Sequence, residues 1–330
     1  MRILVTGAEG FIGSHLVEEL VARGHDVTAF VLYNSFGSAG WLDSLDIATR
    51  QKIDVVFGDV RDGTRVREVM RDHSRVAHLA SLVAIPYSYV APHSYFATNV
   101  LGTLNVMEAC RDAGVERVVH TSTSEVYGSA QVVPMDESHP LVGQSPYSAS
   151  KIAADQLAHS FWASFDVPVV TIRPFNAYGP RQSKRAFIPS TIGQLLAGLA
   201  EIRFGSLYPT RDLTFVSDTA RGFADVLESS SGLGETFNMG SGFEVSMQEV
   251  FVKLCDIAGY QPEVLVDQDR LRPKESEVQR LYSNSGKIRE AFGWQPRYAG
   301  VDGFRRGLED TYAWFEQFLD TDANASHFVV

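Results

Sequence analysis

Short runs of β-branched and other apolar residues alternate with helix-period stretches through the first half of the chain. Positions 3–6, 27–31, 53–57, 76–79, 118–122 and 169–173 read as strands. Several are apolar on both faces, the pattern of strands buried in a parallel sheet. The intervening segments carry one apolar face. Over 98–113, Val100, Leu104 and Met107 fall together, with Gly114 placed as a C-terminal cap. Repeated strand–helix units predict an α/β fold, a doubly wound parallel sheet with right-handed crossovers. After Pro174 the pattern changes. Residues 176–185 read as loop, 189–200 as helix, and 215–228 as a strand running into a helix. The tail from about 245 holds two helices, 246–258 and 301–318, and a basic loop at 270–280. No repeat or low-complexity tether separates the halves. The expected organisation is a first domain over 1–177 plus about 213–245, interwoven with a smaller α/β lobe over 178–212 and 246–330.

Composition narrows the classes. With 330 residues, 45% hydrophobic and 21% charged, the chain can build a sizeable core. Its net charge of −11 disfavours nucleic acid as a main partner, because phosphate-backbone binding needs a basic face. The two cysteines, Cys110 and Cys255, form no CxxC, and no His/Cys cluster has zinc-ligand spacing, so no metal is expected. No signal peptide is expected, and no apolar run is long enough to span a bilayer. A cytoplasmic protein without a membrane partner is expected, and the sequon Asn324-Ala325-Ser326 is expected to be idle.

Candidate chemistry begins at Gly7-Ala8-Glu9-Gly10-Phe11-Ile12-Gly13, between the first strand and a helix starting near Phe11. Glycines there permit a tight turn and let the amides of the helix N-terminus approach a pyrophosphate, the dinucleotide-binding arrangement of a Rossmann fold. An acidic residue at the end of the second strand commonly holds the adenosine ribose of NAD. Here that strand ends Phe30-Val31-Leu32-Tyr33-Asn34-Ser35, with no carboxylate and no Arg or Lys for a 2′-phosphate. NAD is expected, with Asn34 or Ser35 as ribose contact. Asp59 either reads the adenine end or caps a helix near Asp62. Farther on, Tyr147-Ser148-Ala149-Ser150-Lys151 puts a phenol and an ammonium one helical turn apart. The ammonium is expected to lower the phenol pKa, so that tyrosinate accepts a hydroxyl proton while hydride leaves carbon.

With these motifs, the chain resembles an extended short-chain dehydrogenase/reductase of the nucleotide-sugar epimerase/dehydratase group over nearly its whole length. Further matching pieces are Gly58-Asp59-Val60, His78-Leu79-Ala80, Asn99 with Gly102-Thr103, Arg173-Pro174-Phe175-Asn176, Tyr178-Gly179-Pro180-Arg181 and Arg211-Asp212. The resemblance implies a tightly held nicotinamide cofactor contacted by the glycine loop, Val60, Leu79, Ala80, Ser81, Asn99 and Ser122 as well as Tyr147 and Lys151. It also implies a nucleoside-diphosphate sugar in the second lobe, and a homodimer formed through the helices near 98–113 and 147–165.

Within that group, Ser122-Thr123-Ser124-Glu125-Val126-Tyr127 sets the chemistry. The group's 4-epimerases usually carry a small hydroxyl residue where Glu125 stands. A glutamate there resembles the 4,6-dehydratases, in which it removes the C5 proton. Thr123 is then expected on the C4 oxygen and Ser124 as a neighbouring hydroxyl. The segments 32–43 and 205–212 most resemble dehydratases of nucleotide-activated N-acetylglucosamine. By the same resemblance the sugar nucleotide meets Val83, Tyr87, Ser88, Asn176, Arg181, the backbone around Ile188, Arg211 and Arg272, whereas Arg280 is a surface residue. The alternatives are a nucleotide-glucuronate decarboxylase, a 4-epimerase and a non-catalytic NAD-binding regulatory protein.

Overall fold

The computed structural model describes residues 1–268, 271 and 273–319. Six strands fall where the pattern placed them: β1 (Arg2–Thr6), β2 (Asp26–Leu32), β3 (Ile53–Gly58), β4 (Arg75–His78), β5 (Arg117–Thr121) and β6 (Val169–Pro174). A seventh, Thr236–Met239, joins beside β6 to give the order Thr236–Met239, β6, β5, β4, β1, β2, β3, parallel throughout. This is the doubly wound sheet, sandwiched by helices. Thr-Phe-Asn-Met escaped the sequence pattern because it is short and contains a polar residue, Asn238, that the fold buries completely.

Alternation along the strands divides the core. Ile3, Val5, Val27 and Ala29 face one side, with Leu16, Val17 and Leu20 of α1 (Phe11–Ala22) and Phe223 and Leu227 of the helix Val216–Glu228. Leu4, Phe30, Val76 and Val118 face the other, against the helices Gly63–Met70, Gly102–Ala113 and Pro146–Phe165. A third core, with Ile188, Ile192, Phe204, Phe251, Leu254 and Phe304, lies under the helices Phe187–Leu196, Met247–Ala258 and Gly300–Leu319. The expected 189–200 helix is shorter and shifted, because the chain turns into the strand Glu201–Phe204, which pairs with Glu263–Val266. A helix at Gly286–Phe292 went unread in the sequence. The segment read as one helix over 98–113 starts as a π-turn, Phe96–Leu101, and is α-helical only from Gly102 to Ala113; Gly114 caps it at φ 64°. Among the described residues no helix is long and apolar enough to cross a membrane.

The strand order reverses between β1 and β4, which opens a crevice at their C-terminal ends. Gly7, at φ 69°, forms one wall so close to the chain after β4 that an added Cβ would lie 2.7 Å from the Ala80 nitrogen. At Gly13 an added Cβ would collide with the Gly7 carbonyl, so the third glycine lets α1 start against the loop. Gly13→Ala should therefore lower stability by more than about 3 kcal/mol in urea unfolding. Gly24→Ala, with open space around it but φ 80°, should cost only about 1–2 kcal/mol. Equal losses would contradict this packing.

Candidate functional site

The crevice is a cavity of about 350 Å³. It brings together the expected cofactor residues Gly7, Gly10, Asp59, Val60, Leu79, Ala80 and Ser81. Phe11, Ile12 and Gly13 form the adjoining first turn of α1, whose cap, Gly10, offers no side-chain acceptor to the turn's amides. Those N–H groups are free for an anion.

Other expected contacts are spent elsewhere. The Asn34 carboxamide donates to the carbonyls of Leu32 and Ser38 and accepts from the amides of Phe36 and Ser38. It braces its own loop, and neither it nor Ser35 lines the cavity. Asn99 is buried, exchanging two bonds with the Leu82 backbone and donating to Ser150 Oγ. It straps the wall of the crevice to the helix Pro146–Phe165. The Ser122 hydroxyl points to Asp155, at 2.7 Å. The Asp59 carboxylate lines the cavity and is held below its usual range by the bonded Arg61 guanidinium; the helix cap is Asp62. Two charged residues of the cavity went unread in the sequence, Arg61 and Glu9. Glu9 sits inside the glycine loop, and its charge beside a phosphate-binding turn was the available signal.

Beyond β5, Thr123 starts the 3₁₀ turn Ser124–Tyr127, its Oγ1 accepting from the Glu125 amide at 3.2 Å. The helix Pro146–Phe165 starts on a reciprocal Ser145/Ser148 capping box with Pro146 in its first turn, which fixes where Tyr147 and Lys151 emerge. Thr123, Ser124, Glu125, Tyr147 and Lys151 are all buried. In the chain by itself the phenol is raised, not lowered. Burial raises the Tyr147 pKa, the neighbouring Thr123 hydroxyl only partly opposes it, and the Glu125, Tyr95 and Asp155 charges push the same way as burial. The Lys151 ammonium donates to the Thr121 carbonyl at 2.6 Å, and burial lowers its pKa to about 8, against the attraction of Asp155.

Asp155, one turn beyond Lys151, anchors the buried wall of the site. Its Oδ1 lies 3.2 Å from His120 Nε2; Oδ2 accepts from Ser122 and from Arg173 Nη2 at 3.0 Å. Burial would raise this carboxyl, but the His120 and Ser122 bonds and the Arg173 charge outweigh it and hold it below its ordinary value. Arg173 also donates to the Tyr127 hydroxyl, which donates to Asn238.

On the other side, Asn176 carries a buried side-chain oxygen without a hydrogen-bond partner, and Val83 and Tyr87 are exposed. Tyr87 lines the same cavity as the glycine loop. Ser88 is fully buried, and its hydroxyl donates to the Ile85 carbonyl at 2.6 Å. Arg181 makes a two-pronged bond to Glu18 of α1 and reaches Ser14, which docks its loop behind the glycine turn. Ile188 is core. Arg211 is buried, donating to the Thr210 carbonyl and lying 3.6 Å from Glu277. Arg272 lies outside the described residues. Arg280 pairs with Glu244 on the surface. Among the described residues no His, Cys, Asp and Glu side chains are grouped to hold a metal ion.

A tyrosine and lysine buried one turn apart, facing the end of β5 over a doubly wound sheet, make the protein an extended short-chain dehydrogenase/reductase. Residues 4–307 match the family described as GDP-mannose 4,6 dehydratase, and the chain belongs to it. The chain is 33% identical over 323 residues to a dTDP-glucose 4,6-dehydratase of Actinoplanes sp., covering 96% of this chain and 98% of that protein. It is 34% identical over 314 residues to a UDP-glucose 4-epimerase of Mycolicibacterium smegmatis, covering 94% and 98%. Among solved structures, a dTDP-glucose 4,6-dehydratase double mutant from Streptomyces venezuelae with NAD bound superposes with a TM-score of 0.85 at 30% identity, covering 97% of this chain and 98% of that one.

Replacing Asp155 by Asn leaves the Arg173 guanidinium buried without its counter-charge. Asp155→Asn should lose about 3–5 kcal/mol of stability in denaturant titration; a loss under about 1 kcal/mol would show that the network does not hold the wall.

Proposed function

We propose that this chain is an NAD-dependent nucleotide-sugar 4,6-dehydratase. The observation that carries the reading is Glu125, a buried carboxylate in the turn that also presents Thr123 and lies close enough to Tyr147 to bear on its charge. A 4-epimerase needs only a base for the C4 hydroxyl, the role of Tyr147, and has no use for a carboxylate at position 125. The cofactor is NAD: Gly7 and Gly13 leave backbone room that a Cβ would fill, and among the described residues the one cation bordering the cavity, Arg61, is already bonded to Asp59. The nucleotide sugar lies toward Asn176 and the second lobe. Its sugar is an N-acetylated hexosamine, a choice supported by the resemblance of segments 32–43 and 205–212 to dehydratases of that class.

Bound NAD supplies reversible hydride storage for the sugar's C4 and C6 and, when oxidised, a positive charge that favours the Tyr147 phenolate. The chain's own groups handle the protons. Tyr147 takes the C4 hydroxyl proton, Thr123 hydrogen-bonds the same oxygen, and the Lys151 ammonium adds a second positive charge that favours the phenolate. A C4 ketone makes the C5 proton acidic. Glu125 takes that proton; as C5–H breaks, the C5–C6 double bond forms and the C6–O bond breaks. The proton leaves with the hydroxyl as water. Glu125 then takes up a proton from solvent, matching the C4-hydroxyl proton that Tyr147 gives up to it, and delivers it to C5; with reduction at C6 this completes a 4-keto-6-deoxy sugar. Ser124, fully buried beside Glu125, is the neighbouring hydroxyl that supports departure of the C6 oxygen. Exposed Phe96, Leu101, Trp162 and Phe165 on neighbouring helices support a homodimer through that face.

Mass spectrometry after incubation with a panel of nucleotide sugars tests the reading. Loss of one water from a nucleotide N-acetylhexosamine is expected. Loss of carbon dioxide from a nucleotide glucuronate, with hexosamines untouched, would make it a decarboxylase, and turnover without mass change an epimerase.

A further inference from the structure

The second strand lacks the carboxylate that in dinucleotide folds commonly receives the adenosine ribose; β2 ends in Val31 and Leu32. The structure brings a carboxylate to the same place from another element. Glu9, between the first two glycines of the loop after β1, borders the cavity together with Leu32, Asp59 and Arg61. Its Oε1 accepts from the Leu32 amide at 3.0 Å, which pins the carboxylate to the C-terminal end of β2 and not to the N-terminus of α1, where a phosphate would compete with it. Its Oε2 is shielded from solvent and has no hydrogen-bond partner. The Glu9 carbonyl in turn accepts from the Trp41 amide at 3.1 Å, and Gly40, at φ 59°, leaves no room for a Cβ beside it. The loop after β2 therefore clamps Glu9 in place.

An unsatisfied buried carboxylate oxygen is costly unless a donor arrives. Burial raises the Glu9 pKa, opposed by the Leu32 bond. A vicinal diol is the donor such a group suits, and a 2′-phosphate is what it repels. We propose that Glu9 reads the 2′-hydroxyl of the adenosine ribose, replacing the missing second-strand acid and setting the preference for NAD over NADP. This rests on the NAD reading above.

The test is isothermal titration of protein stripped of nucleotide, using NAD, NADP and the NAD analogue lacking the adenosine 2′-hydroxyl. Wild type should bind NAD at least about 100-fold more tightly than NADP. Glu9→Gln keeps an acceptor for Leu32 but loses the charge; it should weaken NAD about 10–100-fold, narrow the gap to NADP and leave the deoxy analogue unchanged. Glu9→Ala should repeat the pattern more strongly, and the nucleotide-free melting temperature of each variant checks that it is folded. Wild-type NAD affinity in a folded variant, or an equal loss for NAD and the deoxy analogue, would overturn the role of Glu9 while leaving NAD as cofactor. A wild-type protein that binds neither dinucleotide would overturn the cofactor reading and this inference with it.

Discussion

One buried carboxylate, Asp155, ties the pieces of the site to each other. It receives bonds from His120 and Ser122 at the end of β5, from Arg173 on β6, and stands one turn beyond Lys151 on the helix Pro146–Phe165. A charge this deep is tolerated only because every neighbour is a donor or a cation, and the same requirement forces those neighbours into one geometry. The position of Tyr147 relative to Thr123 and Glu125 follows from that registration between helix and sheet. The network continues through Tyr127 to Asn238 on the seventh strand, so the strand farthest from the cofactor loop still bears on the turn that carries Glu125.

The other half of the site follows from strand order. Because β1 and β4 are neighbours and run parallel, the glycine loop and the segment from Leu79 to Leu82 face each other across the crevice, and only glycine at position 7 allows the approach. Asn99 holds the β4 side of this crevice against Ser150, one residue before Lys151. Cofactor cavity and proton-transfer groups are therefore braced through this one side chain.

The sheet was legible because its strands are apolar on both faces, and the Tyr147/Lys151 pair because a spacing of four residues has one meaning on a helix. Glu125 was legible only through resemblance. What the sequence concealed is where polar side chains spend their hydrogen bonds. Asn34, Ser88 and Arg181 all carry the right chemistry for a ligand, but Asn34 closes its own loop, Ser88 bonds back within its helix and Arg181 reaches Glu18, distant in sequence by 163 residues. Glu9 and Asp155 were passed over for the converse reason: their importance lies in partners on other elements, which periodicity does not reveal. Thr236–Met239 was missed because a four-residue strand with a buried asparagine lacks the apolar signature of the other strands.

The claim that organises the account is that Glu125 moves the C5 proton of a nucleotide sugar. Turnover in deuterium oxide measures it directly: wild-type protein should yield a dehydrated product with solvent deuterium at C5, and Glu125→Gln should still bind the sugar nucleotide yet exchange no proton at C5 and release almost no product. A wild-type product without deuterium at C5, or a Glu125→Gln variant dehydrating at the wild-type rate, would contradict it.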